Sequence, residues 1–454
     1  MTKLTIIGAG SSVFTKNIIT DLLLNEQLKD MEFSLMDIDK DRLEISKNIV
    51  SLISKKLNVS PKISLHTNRK EALQNANFVQ TTFQVGGYKP STVIDFKIPK
   101  KYGLEQTIAD TLGIGGIMRG LRTIPVLNSI GKDIMEVCPK AILLQYVNPM
   151  CMNMIALNRN YPELQSLGLC HSVQGTAAMI AKDLNENIND LDYDCVGINH
   201  MAFFTRLEKK LDDGSTKDLY PSLKNFGQKV LANEITSSRT LKKESGSNRY
   251  LHEKVRYEIL KRFGYFVTES SEHFAEYVPW FIKNNKKKLI QEYKIPLDEY
   301  IDRCENNIEK WTSYNDKPEL VVSLGLKRSH EYASDIIEAV VSNTPFTLNG
   351  NVYNNNLIDN LPQDCVVEVP CTVDKNGIQP HKMGKIPIQL ATLIQTNINV
   401  QLLVTEAALT KKRDLIYQAA MLDPHTAAEL TIDQIYNMVD DLLEEHKDFL
   451  PEYH

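Results

Sequence analysis

The sequence predicts an α/β protein: a parallel sheet with helices on both faces, followed by a second, mixed α+β domain. Two observations predict it. Over the first half, short apolar runs alternate with stretches of helical periodicity, the pattern of strands joined by crossover helices. Past Cys170 that alternation stops, and paired alternating runs and long helical stretches replace it. At 454 residues the chain has the length of about two to three domains.

Residues 4–7 read as the first strand, ending in Gly8-Ala9-Gly10, and a helical pattern follows through Ile18, Ile19, Leu22 and Leu23. Residues 33–36 read as a second strand ending at Asp37, and residues 62–65 as a third. Residues 78–83 form the fourth, ending at Gln84 and Gly86-Gly87; residues 141–146 form the fifth, ending at Asn148-Pro149. Ligands of such sheets bind at the carboxyl ends of the strands, where most of these polar and glycine residues lie. Residues 194–198 and 203–209 alternate and are expected to pair around Asn199-His200. Asp212-Asp213-Gly214 signals a turn, and long helical stretches follow at 251–263 and 393–409. The expected division is a nucleotide-binding domain over residues 1–169 and a substrate, metal and oligomerisation domain over 170–454.

Gly8-Ala9-Gly10 stands between a strand and a helix. Glycines there let the backbone approach a pyrophosphate, whose charge the helix N-terminus favours. The third position of the dinucleotide fingerprint is Val13 rather than glycine, so the loop alone is equally a tight turn. Asp37 adds the second half of the signal: a carboxylate ending the second strand accepts hydrogen bonds from a ribose and repels a 2′-phosphate, which favours NAD over NADP.

Cys170 and His200 each end an apolar run, in Leu167-Gly168-Leu169-Cys170 and Val196-Gly197-Ile198-Asn199-His200. A thiolate and an imidazole suit a borderline-soft divalent metal and leave coordination positions for a substrate. Either residue alone is more often core packing. Asn148 offers an amide to a sugar hydroxyl, or is simply an Asn-Pro turn. His171 offers a proton, or is a surface histidine. Glu269, Glu272, His273 and Glu276 form a competing cluster with helix-like ligand spacing, which reads equally as a salt-bridged structural turn.

Composition narrows the partners. Hydrophobic residues make up 42%, charged residues 24%, and the net charge is −5 with both signs mixed along the chain. The densest basic run, residues 283–288, reads as a solvated turn, so neither nucleic acid nor a membrane surface is expected. No apolar stretch reaches membrane-spanning length. The first strand begins at Lys3, so no signal peptide is expected ahead of it. Seven scattered cysteines without a CxxC pair fit a reducing cytoplasm.

These residues lie in segments that resemble a known family. Ile7-Gly8-Ala9-Gly10-Ser11, Leu35-Met36-Asp37-Ile38-Asp39, Gln106-Thr107-Ile108-Ala109-Asp110-Thr111 and Tyr146-Val147-Asn148-Pro149-Met150 resemble segments of family 4 glycoside hydrolases. So do Gly168-Leu169-Cys170-His171-Ser172, Gly197-Ile198-Asn199-His200-Met201, the stretch from Gly264 to His273 and Gln395-Thr396-Asn397-Ile398-Asn399-Val400. The resemblance covers nearly the whole chain. Within the family it is strongest to bacterial members that cleave terminal α-galactosides such as melibiose.

The resemblance implies a Rossmann-like NAD-binding domain with a second domain of the lactate/malate dehydrogenase type. It implies hydrolysis by oxidation, elimination, addition and reduction, using NAD+ and a divalent metal, usually Mn2+. Carried over by motif, Cys170 and His200 are the metal ligands and Asn148 binds substrate. Gly8, Gly10, Ser11, Asp37 and Gln84 face the NAD+. His171 takes the acid position, where some relatives acting on phosphorylated sugars carry aspartate. Tyr257 is the first choice for the base and Tyr265 the second; a tyrosine serves there only if a nearby cation lowers its pKa. A cytoplasmic homodimer or homotetramer with a small glycoside substrate is expected. The rivals are another specificity within the family (α-glucoside, 6-phosphoglycoside or α-galacturonide), a plain NAD-dependent hydroxy-acid dehydrogenase, and a non-catalytic NAD-binding regulator.

Overall fold

Apart from the partly exposed edge strand at Lys62–His66, the short runs at the start of the chain are buried on both faces, which selects strands of a covered parallel sheet over the half-exposed strands of an open one. They are β1 (Lys3–Ile7), β2 (Glu32–Met36), β3 (Lys62–His66), β4 (Phe78–Thr81) and β5 (Ile142–Gln145). A sixth, β6 (Ser166–Gly168), is too short to show a period in sequence. All pair in parallel in the order β3-β2-β1-β4-β5-β6. That is the doubly wound arrangement in which β1 and β4 flank the switch point. The computed structural model describes residues 2–239, 252–317, 319, 325–329 and 331–454.

The second half adds antiparallel strands to the same sheet. β7 (Leu191–Ile198) and β8 (Met201–Lys210) form a hairpin whose last pair is Ile198 with Met201, so Asn199 and His200 make the turn. β9 (Thr216–Asp218) and β10 (Phe266–Val267) pair with β8; β11 (Phe346–Tyr353), β12 (Val366–Asp374) and β13 (Gly377–Pro380) continue the sheet. One pairing, Asn351 with Gly168, joins β11 to β6, and another, Glu368 with Gly197, joins β12 to β7. The expected division at residues 169 and 170 thus falls just past β6, where the antiparallel strands meet the parallel ones.

One large apolar cluster runs through both halves. It includes the buried helix Gly113–Val137, against which the helix Ile388–Thr410 packs. A smaller cluster under the β7–β8 hairpin gathers Val173, Ala177, Cys195, Phe204, Tyr257 and Phe266. None of the seven cysteines is in a disulfide. Among the described residues no helix is long and apolar enough to cross a membrane.

Candidate active site

The glycine loop is shaped by β2 and β4. Gly8 has φ +90° and donates with Ala9 to the Met36 carbonyl at 2.9 and 3.0 Å. A Cβ on Gly8 would stand 2.3 Å from the Thr82 carbonyl oxygen, so the turn admits no side chain there. Gly10 N donates to Asp37 Oδ2 at 2.8 Å, which ties the carboxylate ending β2 to the loop. Ser11 is exposed and precedes the helix Ser12–Leu24 without spending its side chain on a cap. These four expected residues therefore sit together. Gln84 is engaged otherwise: its amide donates to Gly87 O at 3.0 Å and Thr92 Oγ1 at 2.7 Å, bracing the turn after β4.

Cys170 follows the end of β6, and His200 occupies the hairpin turn with φ +65°. The two meet: Cys170 Sγ is 3.3 Å from His200 Nε2. Glu269, with φ +67°, brings Oε2 to 3.7 Å from the same nitrogen. The donor atoms of Cys170, His200 and Glu269 lie within 4.8 Å of one another, as do those of Asp110, His200 and His273. A thiol, an imidazole and a carboxylate make a donor set that fits a borderline divalent cation. The other His200 nitrogen, Nδ1, faces the buried Tyr277 hydroxyl at 3.4 Å, the orienting contact that metal-binding histidines generally make.

The charges follow from this packing. Burial works against the Cys170 thiolate, but the adjacent His200 and hydrogen bonds from His171 and His200 outweigh it and pull the thiol down to about 6. Burial likewise opposes charge on His200, and Cys170 and Glu269 outweigh it, raising the imidazole to about 10. The metal-free pair is therefore a thiolate beside an imidazolium.

Asn148 joins this group through Asp110. Its Nδ2 donates to Asp110 Oδ2 at 3.1 Å, and Asp110 also accepts from Thr111 Oγ1 at 2.7 Å and faces Arg119 at 4.0 Å. Burial raises Asp110, but Arg119 and the two histidines more than offset it, so the carboxyl lies below its ordinary value.

The competing cluster divides. Glu269 and His273 reach the metal-type trios. Glu272 is ion-paired with Arg239 and Arg303 at 2.6 and 2.7 Å. Glu276 accepts from the backbone N–H groups of Thr107, Ile108 and Ala109 at 2.9, 3.1 and 2.9 Å, fixing the loop that presents Asp110.

His171 is half exposed, and its Nε2 is 2.7 Å from Glu331 Oε1. Tyr257 is not brought to this site. Its ring is buried between Phe226 and Phe266 and its hydroxyl donates to Asp183 at 2.7 Å. Burial and Asp183 hold that phenol well above its usual pKa, the opposite of what a base requires. Tyr265 packs edge-on to Tyr220, 5.9 Å away. Sequence reasoning missed Asp110, Tyr277 and Glu331 as members of the site. Asp110 lies in the polar loop Gln106-Thr107-Ile108-Ala109-Asp110-Thr111 ahead of the buried helix Gly113–Val137. Glu331 stands 160 positions from His171 and gives no local signal.

Comparison with known proteins decides the family. The pattern described as "Family 4 glycosyl hydrolase" matches residues 3–186, and that of its C-terminal domain matches residues 195–426. The chain belongs to family 4 of the glycosyl hydrolases. It is 49% identical over 453 residues to an α-galactosidase of Bacillus subtilis, covering 100% of both chains. An α-galactosidase of Rhizobium meliloti is 34% identical, with 99% of this chain and 89% of that protein covered. A 6-phospho-α-glucosidase from gut microorganisms, solved with NAD and Mn2+, shares the fold at TM-score 0.81 and 21% identity over 100% of both chains. In this family 4 glycosyl hydrolase the metal-type pair straddles the two matched regions, Cys170 in the first and His200 in the second.

Proposed function

We propose that this family 4 glycosyl hydrolase is an α-galactosidase that hydrolyses terminal α-D-galactosides such as melibiose, with NAD+ and Mn2+ or another divalent metal as cofactors. The observation that carries the reading is the 3.3 Å approach of Cys170 Sγ to His200 Nε2, beside an Asn148 amide anchored by Asp110. Full-length identity of 49% to an α-galactosidase supports the sugar.

Bound NAD+ would supply reversible oxidation of a sugar carbinol, and the metal would stabilise negative charge on the neighbouring oxygens. The chain's own residues bind and orient these groups. Gly8 and Gly10 let the backbone approach the pyrophosphate at the N-terminus of the helix that Ser11 precedes. Asp37 accepts from the ribose hydroxyls. Cys170 and His200 hold the cation and leave coordination positions to sugar oxygens. Asn148, held by Asp110, binds a sugar hydroxyl. His171 holds a proton for the departing oxygen. A cytoplasmic homodimer or homotetramer belongs to the same reading; exposed Ile388, Leu422, Ile432 and Tyr436 on the C-terminal helices support association, which light scattering measures.

Purified protein with NAD+, Mn2+ and a reductant should release galactose from melibiose and nitrophenyl α-galactoside without accumulating NADH. In deuterium oxide the released galactose should carry deuterium at C2, which acid/base glycosidases do not introduce. Intact galactosides beside cleavage of a glucoside, phosphoglycoside or galacturonide would overturn the specificity. Net NADH accumulation would mark a dehydrogenase instead.

A further inference from the structure

We propose that Glu331 is a positioning residue for His171: its carboxylate fixes the imidazole so that the opposite ring nitrogen serves the oxygen leaving the sugar. The inference rests on the reading of His171 as the group that protonates that oxygen. In that step the electron pair left at C2 by loss of its proton forms the C1–C2 double bond, the C1–O bond breaks with its pair passing to the oxygen, and the oxygen takes the proton from His171.

Three observations carry it. Glu331 is 7% exposed, and among the described residues its carboxylate has one polar partner, His171, while Oε2 is buried without any. A buried carboxylate held by a single hydrogen bond concentrates its influence on that partner. Second, the carboxylate does not serve its own helix: Glu331 precedes Tyr332–Ser342 but makes no side-chain cap. Third, the backbone beneath it is anchored. Asp21 on the helix of the nucleotide loop accepts from both Ser329 N and Ser329 Oγ, and Ser329 Oγ accepts from Glu331 N at 3.2 Å. The half-exposed His171 ring also hydrogen-bonds the adjacent Cys170 sulfur, so the bond at Nε2 and that contact together hold the ring in one orientation.

The test is leaving-group dependence. Glu331→Ala, Glu331→Gln and wild type are assayed with NAD+, Mn2+ and reductant on melibiose, whose leaving group needs a proton, and on dinitrophenyl α-galactoside, whose leaving group does not. Glu331→Ala should lose about 100-fold in kcat on melibiose, the scale of a positioned general acid, and less than about threefold on the aryl substrate. Glu331→Gln keeps an acceptor for Nε2 and should fall between. In a His171→Ala background Glu331→Ala should cost nothing further. Equal losses on both substrates, or an added loss in that background, would overturn the proposal. If the enzyme cleaves another glycoside, the same pair of leaving groups on that sugar tests Glu331 while the galactoside reading fails separately. An arm independent of turnover is the 15N spectrum of labelled histidine. Glu331→Ala should shift the His171 ring nitrogens; unchanged signals would refute the contact.

Discussion

Cys170 Sγ and His200 Nε2 lie 3.3 Å apart although 30 positions separate them in the chain. One follows the last strand of the parallel half; the other turns the first hairpin of the antiparallel half. The metal-type site is therefore built only when both halves pack.

Metal binding should release protons. With His200 raised to about 10 by Cys170 and Glu269 against the effect of burial, the metal-free imidazole is protonated at neutral pH. A cation binds only neutral imidazole, so about one proton should leave per metal near pH 7.5. Cys170, pulled down to about 6, is already a thiolate there. Titration calorimetry in buffers of different ionisation enthalpy measures the number. Affinity should fall as pH drops, because protons compete for the same atoms. Binding without proton release would contradict the thiolate–imidazolium pair. Cys170→Ser and His200→Ala should each weaken the metal strongly while NAD+ still binds.

The substrate amide should depend on its anchor. Asn148→Ala removes the proposed sugar contact, and Asp110→Asn removes the charge that holds Asn148 at 3.1 Å. A hydrogen bond to a charged group contributes roughly 1.5–3 kcal/mol, so each variant should lose about tenfold or more in kcat/KM. The double variant should lose less than the product of the two, since both act on one contact. Independent, multiplying effects would separate Asp110 from Asn148.

The first five strands were legible because they are short runs separated by helical periods, whereas β9 to β13, including the long pair β11 and β12, were not recognised. The expected hairpin around Asn199-His200 was legible from alternation on either side of it. β6 was not recognised as a strand, because Ser166–Gly168 is shorter than one period of any pattern. Of the site, the residues ending strands could be read, since the doubly wound topology places strand ends together. The residues acting across the fold could not. Glu331 reaches His171, and Tyr277 reaches His200, through packing that no spacing encodes. Tyr257 stood at a plausible distance along the chain, but the apolar helix face that carries it turns the ring into the smaller core.

Cofactor choice should follow Asp37. Its Oδ2 already accepts from Gly10 N at 2.8 Å, which fixes the carboxylate at the end of β2 facing the loop. Asp37→Ser should weaken NAD+ and relieve repulsion of NADP+, narrowing the preference between them. Gly10→Ala should abolish binding of both, because its Cβ would stand 2.6 Å from Asp37 Oδ2. Equilibrium binding of each nucleotide measures these effects without turnover. An unchanged preference in Asp37→Ser would move the ribose contact elsewhere.

Tyr257→Phe separates packing from catalysis. The Tyr257 hydroxyl donates to Asp183, which also accepts from Ser237 Oγ at 2.7 Å and Ser238 N at 2.5 Å. Losing one of these bonds should cost about 0.5–1.5 kcal/mol of stability and lower Tm by a few degrees. The ring's contacts with Phe226 and Phe266 persist in phenylalanine, so the smaller core stays filled. If Tyr257 only packs, kcat on nitrophenyl α-galactoside stays within about twofold of wild type, and solvent deuterium still enters C2 at the same rate. If the phenol instead takes the C2 proton, kcat collapses by a factor of about 100 or more, with the same modest fall in Tm. The loss in Tm is shared by both roles and kcat separates them, and the bond to Asp183 favours the first.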